Sequence, residues 1–119
     1  MPLSNPIERS LNNLKEHPDI LEVTLISRSG MHIAGNVPDN AHRETFVAMA
    51  AILLGAAETA TTELKEKLSH VIIELQNSKL FIIHTGSTAL FTLKIQSTAD
   101  IDEILGIVSE SIQDIKEHL

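Results

Sequence analysis

Phe46-Val47-Ala48-Met49-Ala50-Ala51-Ile52-Leu53-Leu54-Gly55-Ala56-Ala57-Glu58 holds no charge until its last position, a run of more than three helical turns. It lies inside a longer stretch, Ala41 to about Leu68, that reads as one helix. At about 100° per residue, Phe46, Met49, Ala50, Leu53, Ala57, Ala60 and Leu64 fall on one arc. That arc is wide enough to pack on a sheet. The opposite arc holds Val47, Ala48, Ala51, Leu54 and Gly55, then Glu58, Thr59 and Thr62. A helix apolar all round is buried all round. A chain of 119 residues has no segment left to cover the second arc. The pattern therefore predicts a homodimer, with two copies of the helix antiparallel across a two-fold axis. Ala48, Ala51, Gly55 and Thr59 are small enough for a second backbone to approach. The plainer alternative is that alanine is a good helix former and some apolar surface is tolerated.

On either side of this helix the period changes from helical to two. Upstream, Ile20 to Ser27 sets Leu21, Val23 and Leu25 on one face and Thr24 and Ile26 on the other. Arg28-Ser29-Gly30 is a turn, Met31 to Gly35 a short strand, and Pro38-Asp39-Asn40 a break. Downstream come three strands, His70 to Gln76, Lys79 to Thr85 and Ala89 to Gln96. Asn77-Ser78 and Gly86-Ser87 are the predicted tight turns, the second with the glycine-first signature of a type II′ hairpin. Two amphipathic helices close the ends. Asn5-Pro6 starts the first, whose stripe is Ile7, Leu11 and Leu14 and which stops before Pro18. Ser97-x-x-Asp100 resembles a capping box ahead of the last, whose stripe runs from Ile101 through Ile104, Leu105, Val108, Ile112 and Ile115 to Leu119.

The order is α-β-β-α-β-β-β-α. Strands apolar on both faces need cover on both sides. Three helices supply it in a three-layer α/β/α domain spanning residues 1–119. The sheet is predicted to be five-stranded and antiparallel, with Val71–Leu75 on an edge.

Composition narrows the function. Nine cations against sixteen carboxylates leave a net charge of −7, which disfavours nucleic acid and anionic membrane. From Asp100 onward there are six carboxylates and one cation, most simply a solvated face. With no cysteine there is neither a disulfide framework nor a thiolate metal site. Three Phe and no Trp or Tyr give no platform for stacking bases. Met1 to Pro6 lacks the basic and apolar pattern of a secretory leader. The charge-free run Phe46–Ala57, 12 residues, falls short of the roughly 20 needed to span a bilayer. A cytoplasmic protein without membrane insertion is expected.

The strand–turn–strand from Glu22 to Gly35, the alanine-rich helix from Phe46 to Glu58, and the closing three strands and helix together resemble the Roadblock/LC7 family, which includes dynein light chains and MglB-like proteins. The resemblance covers residues 7 to 115. It implies a profilin-like fold, a dimer in which the two edge strands meet, no catalytic residues and no cofactor. It also implies a partner class, small Ras-like GTPases and their scaffolds. The dimer surface expected on this basis comprises Val47, Ala48, Ala51, Leu54, Gly55, Glu58, Thr59, Thr62, Val71 and Ile73. Arg28, beside the hairpin turn, is the one arginine of three placed to protrude, and is the candidate partner contact.

No motif supports an enzyme. Gly30-Met31-His32-Ile33-Ala34-Gly35 has the glycine spacing of a phosphate loop, but Asn36-Val37 stands where lysine and Ser/Thr are required. His17, His32, His42, His70, His84 and His118 include no i, i+4 pair; only His70, Glu74 and His84 could converge on adjacent strands, short of a metal site. A small-ligand sensor of profilin/PAS-like architecture is the alternative, opposed by the lack of polar groups to orient a ligand. The chain alone is expected to neither bind nor hydrolyse GTP, which a fluorescent-nucleotide titration checks.

Overall fold

The structure, a computed structural model, describes residues 5–119. Helix α1 (Pro6–Lys15) leads into β1 (Ile20–Ser27) and β2 (His32–Gly35). Helix α2 (Arg43–Glu63) follows, then β3 (Val71–Glu74), β4 (Ser78–His84), β5 (Ala89–Gln96) and α3 (Ile101–Ile115), ending in a 3₁₀ turn at Lys116–His118. The strands form one antiparallel sheet in the order β2-β1-β5-β4-β3. The predicted element order, the five-stranded antiparallel sheet and the edge position of β3 all hold.

Strand β5 is the axis of the sheet. Ala89, Phe91, Leu93 and Ile95 point to the face under α1 and α3, where they meet Val23, Leu25, Phe81, Leu14, Ile104 and Val108. Leu90 points to the other face, where Ile26 and Ile82 meet Val47, Ala50 and Leu54 of α2. Both faces are thus filled by side chains. Burying each large aliphatic or aromatic group contributes about 1.5–3 kcal/mol.

Several local boundaries move from their predicted places. Helix α2 ends at Glu63 rather than Leu68. Thr61 donates its hydroxyl back to the carbonyls of Ala57 and Glu58, and Thr62 donates to Glu58. Such bonds offer the backbone an alternative to the helix, and Lys65 then takes a positive φ of 61°. Strand β3 is shorter than His70–Gln76, because the Leu75 amide already donates to the Ser78 carbonyl. That puts Gln76-Asn77, not Asn77-Ser78, at the tip, and Ser78 in β4. The β4–β5 connection has three loop residues, since the Thr85 amide donates to the Ala89 carbonyl; the Thr88 carbonyl is taken by the Arg28 amide. Asn5 caps α1 as expected, accepting from the Ile7 amide at 2.8 Å. The cap of α3 is Asp100, accepting from the Glu103 amide at 3.2 Å, and not Ser97.

At 21 residues α2 is, by length and composition, long and apolar enough to cross a membrane, more than the 12-residue charge-free run suggests. In the fold one side of it is fixed to the sheet.

Gly35 ends β2 at φ 82°, and a Cβ there would lie 2.2 Å from the Val23 carbonyl oxygen. Gly106, on α3, has nothing within 4 Å. Gly35→Ala should cost at least about 2 kcal/mol in urea unfolding. Gly106→Ala should instead stabilise by about 0.5–1 kcal/mol.

Candidate functional site

The rotation of α2 decides which residues it offers to a partner. Val47 is 3% exposed and Leu54 fully buried, and with Ala50 they form the contact with the sheet. The helical wheel sets Phe46 and Ala50 on this side, as found, but Val47, Ala51 and Leu54 on the opposite arc. Of the arc it assigns to the sheet, Met49 is 49% and Leu53 41% exposed, and Leu64 and Ala60 are exposed as well. Ile52, next to them, is 59% exposed. The outward stripe is therefore Met49, Ile52, Leu53, Ala56 and Ala60.

Two contacts with the β1–β2 turn accompany this rotation. Gly30, at φ 90°, brings the turn so close to α2 that a Cβ on it would meet the Ala48 Cα at 3.2 Å. Nearer the end of the helix, Arg28 donates through both terminal nitrogens to the Glu58 carboxylate, Nη1 to Oε2 at 3.1 Å. Glu58, expected on a dimer face, is thus held within the chain. Arg28, expected to protrude, is its partner. The remaining residues of that expectation are split. Ala51 packs on the sheet side, Ala48 and Gly55 are half-buried on the flank near the turn, and Thr59 and Thr62 are exposed. Val71 and Ile73 face α2 from β3 and are half-buried.

The sheet has two edges, and they differ. Strand β2 carries a register shift opposite Leu25/Ile26, and the His32 imidazole bonds the Gly35 carbonyl at 2.7 Å. Bulges and side chains over the backbone are ways of blunting an edge. Strand β3 reads Val-Ile-Ile-Glu and pairs with β4 in regular register. One row of its amides and carbonyls faces away from the sheet, beside the exposed Leu75.

The histidines are dispersed over the domain. His70 stacks on Phe81, ring centroids 4.9 Å apart, on the α1/α3 side. His84 lines a cleft with Glu58, Thr61 and Lys67 on the α2 side. The two histidines considered for convergence therefore lie on opposite faces. His17 pairs with Glu103 at 2.6 Å. Among the described residues no group of three or more His, Cys, Asp or Glu is placed to hold a metal ion. A cleft of about 680 Å³ lies between the β1–β2 turn and the first turns of α2, lined by Ser29, Gly30, Met31, His32, Arg43 and Glu44 among others.

The Roadblock/LC7 domain family matches residues 6–94. The chain belongs to the Roadblock/LC7 family. The match runs from α1 into β5 and leaves α3 outside it, short of the span to residue 115 expected from the resemblance. Solved structures agree on the fold. MglB of Myxococcus xanthus superposes with a TM-score of 0.85 at 14% identity, covering 99% of this chain and 100% of that one. A Roadblock/LC7 domain from Streptomyces avermitilis gives 0.82 at 17%, covering 92% and 94%. The gliding protein MglB from Thermus thermophilus gives 0.76 at 19%, covering 97% and 91%. Comparison with curated proteins returns no match.

In this Roadblock/LC7 chain the hydrogen bonds from Arg28 hold the Glu58 carboxyl below the ordinary Glu value of 4.5, against a smaller opposing effect of burial. A carboxyl depressed in the folded state contributes stability above the unfolded value and loses it as pH falls through the folded one. The pair is about one-third exposed, so its contribution is about 0.5 kcal/mol. Wild type should exceed Glu58→Gln by that margin near neutral pH in urea unfolding. The margin should vanish on acidification below the carboxylate range.

Proposed function

We propose that this Roadblock/LC7 domain is a non-enzymatic module that dimerises through α2 and β3 and regulates or scaffolds a small Ras-like GTPase. The observation that carries the reading is the outward apolar stripe Met49, Ile52, Leu53, Ala56 and Ala60 beside the regular, unblunted edge of β3. An apolar stripe along a surface helix marks an interaction site. A two-fold axis perpendicular to both elements would set two α2 helices antiparallel and two β3 edges side by side. Ala56 and Ala60 give a low stretch on which a partner helix can lie within about 8–10 Å. Thr59 follows Ile52 two turns along the helix, and Val71 and Ile73 would close the interface at the sheet. Val47 and Leu54 take no part, being inside the core.

Family membership and the MglB-like fold support a regulatory or scaffolding role. The GTPase partner is proposed from the family. A dimer that binds one nucleotide state more tightly than the other shifts the GTPase toward that state, and equal affinities would leave a scaffold.

Sedimentation equilibrium should give twice the 13.0 kDa chain mass at micromolar concentration. Ile52→Asp should give a folded monomer, since a charge buried without a partner at an interface costs several kcal/mol. A wild-type monomer at that concentration overturns the dimer. Titration of the dimer against Ras-like GTPases from the source cell, each loaded with GDP or a GTP analogue, tests the partner. Preference for one loaded state is expected, and absence of binding to every GTPase tried in both states overturns this part.

A further inference from the structure

We propose that the Arg28–Glu58 pair is a strap that clamps the β1–β2 turn along the flank of α2. The inference concerns the single chain and does not rest on the proposed GTPase.

Away from the helix, the turn is anchored at its base, where the Arg28 amide donates to the Thr88 carbonyl at 2.9 Å. Its internal bonds are local: the Gly30 amide donates to the Ser27 carbonyl at 2.9 Å, the Met31 amide to Ser27 Oγ at 2.9 Å, and the Ser27 and Ser29 hydroxyls bond each other. These shape the turn but do not tie it to the helix. The tie is made at two places. One is van der Waals contact, Gly30 against Ala48. The other is the forked ion pair, which joins residues thirty apart in sequence. Ala48 and Glu58 are ten residues apart on α2, about 15 Å along its axis. Two tethers that far apart fix both position and direction, where either alone would leave a pivot. Between the turn and the start of α2 lies the 680 Å³ cleft, with Met31 at its rim, 66% exposed. A guanidinium suits this task because its planar fork fixes an orientation as well as a distance.

The strap also links two surfaces. Glu58 lies on the helix that carries the outward stripe, and Arg28 lies at the end of β1. A displacement of α2 along its axis is passed to the turn through this pair and the Gly30–Ala48 contact, and the turn cannot leave the helix without breaking the pair.

Hydrogen–deuterium exchange on the full chain tests this. In Arg28→Ala and in Glu58→Ala, the Gly30 and Met31 amides should exchange about two-fold faster, as expected for loss of a partly exposed ion pair. The double variant should be no faster than either single one. Amides of the β1–β5 ladder, such as those of Thr24 and Thr92, should be unchanged, which reports that the fold is intact. The contact between Gly30 Hα and the Ala48 methyl, seen as a nuclear Overhauser effect, should weaken in the same variants. Raising ionic strength should quicken exchange of the turn in wild type and not in the double variant, a readout independent of any folding defect. Unchanged turn exchange in both single variants, or effects that add in the double variant, would overturn the proposal. Insensitivity of the wild-type turn to salt would do the same.

Discussion

A sheet whose strands are apolar on both faces has to be covered twice, and the rest of this structure follows from how the chain meets that demand. The face of Phe91, Leu93 and Ile95 receives two helices, α1 and α3, each amphipathic and each turning a polar side to water. The face of Ile26, Ile82 and Leu90 receives only α2. One helix is narrower than five strands, so the outer strand β3 keeps Val71 and Ile73 only half covered. The helix that covers this face is itself apolar on the side away from it. The two sides of the domain are therefore unequal. One is finished with carboxylates, the other is left with aliphatic groups on a helix and a bare strand edge.

That inequality leaves Met49, Ile52 and Leu53 exposed together on one side of the domain. Its carboxylates on α3 keep one side solvated, while the apolar surface is gathered on the other rather than scattered. Gathered apolar area is what association needs, because binding must overcome the loss of translational and rotational freedom. The contrast between the sheet's two edges points the same way. Strand β2 is short, shifted in register and closed by its own histidine, whereas β3 is regular. An edge left regular beside an apolar helix is a hazard for a monomer and an asset for an assembly.

The turn between β1 and β2 adds a layer that local patterns assign differently. Arg28 flanks a turn, which points it toward a partner. In the folded chain it reaches Glu58, which the helical wheel places on a self-association face. Each residue alone looks solvent-directed, and their thirty-residue separation hides the pair. The same pair lowers the pKa of Glu58 and bridges turn and helix.

The element order, the antiparallel sheet, the edge position of β3, and the start and stop signals at Asn5 and Pro18 are all legible in the chain read alone. They follow from period, glycine, proline and caps, which act over a few residues. Equally legible is that α2 is apolar all round, and hence that one side of it is left uncovered. Which side that is follows only from the folded arrangement. A helical wheel has a phase only when its polar residues cluster, and between Thr45 and Ala57 there are no charges to set one. The choice is left to packing: Val47, Ala50 and Leu54 fit Ile26, Ile82 and Leu90, Gly30 admits Ala48, and Arg28 finds Glu58. These contacts join residues far apart in the chain, so no local pattern contains them, and together they turn Met49, Ile52 and Leu53 to the outside.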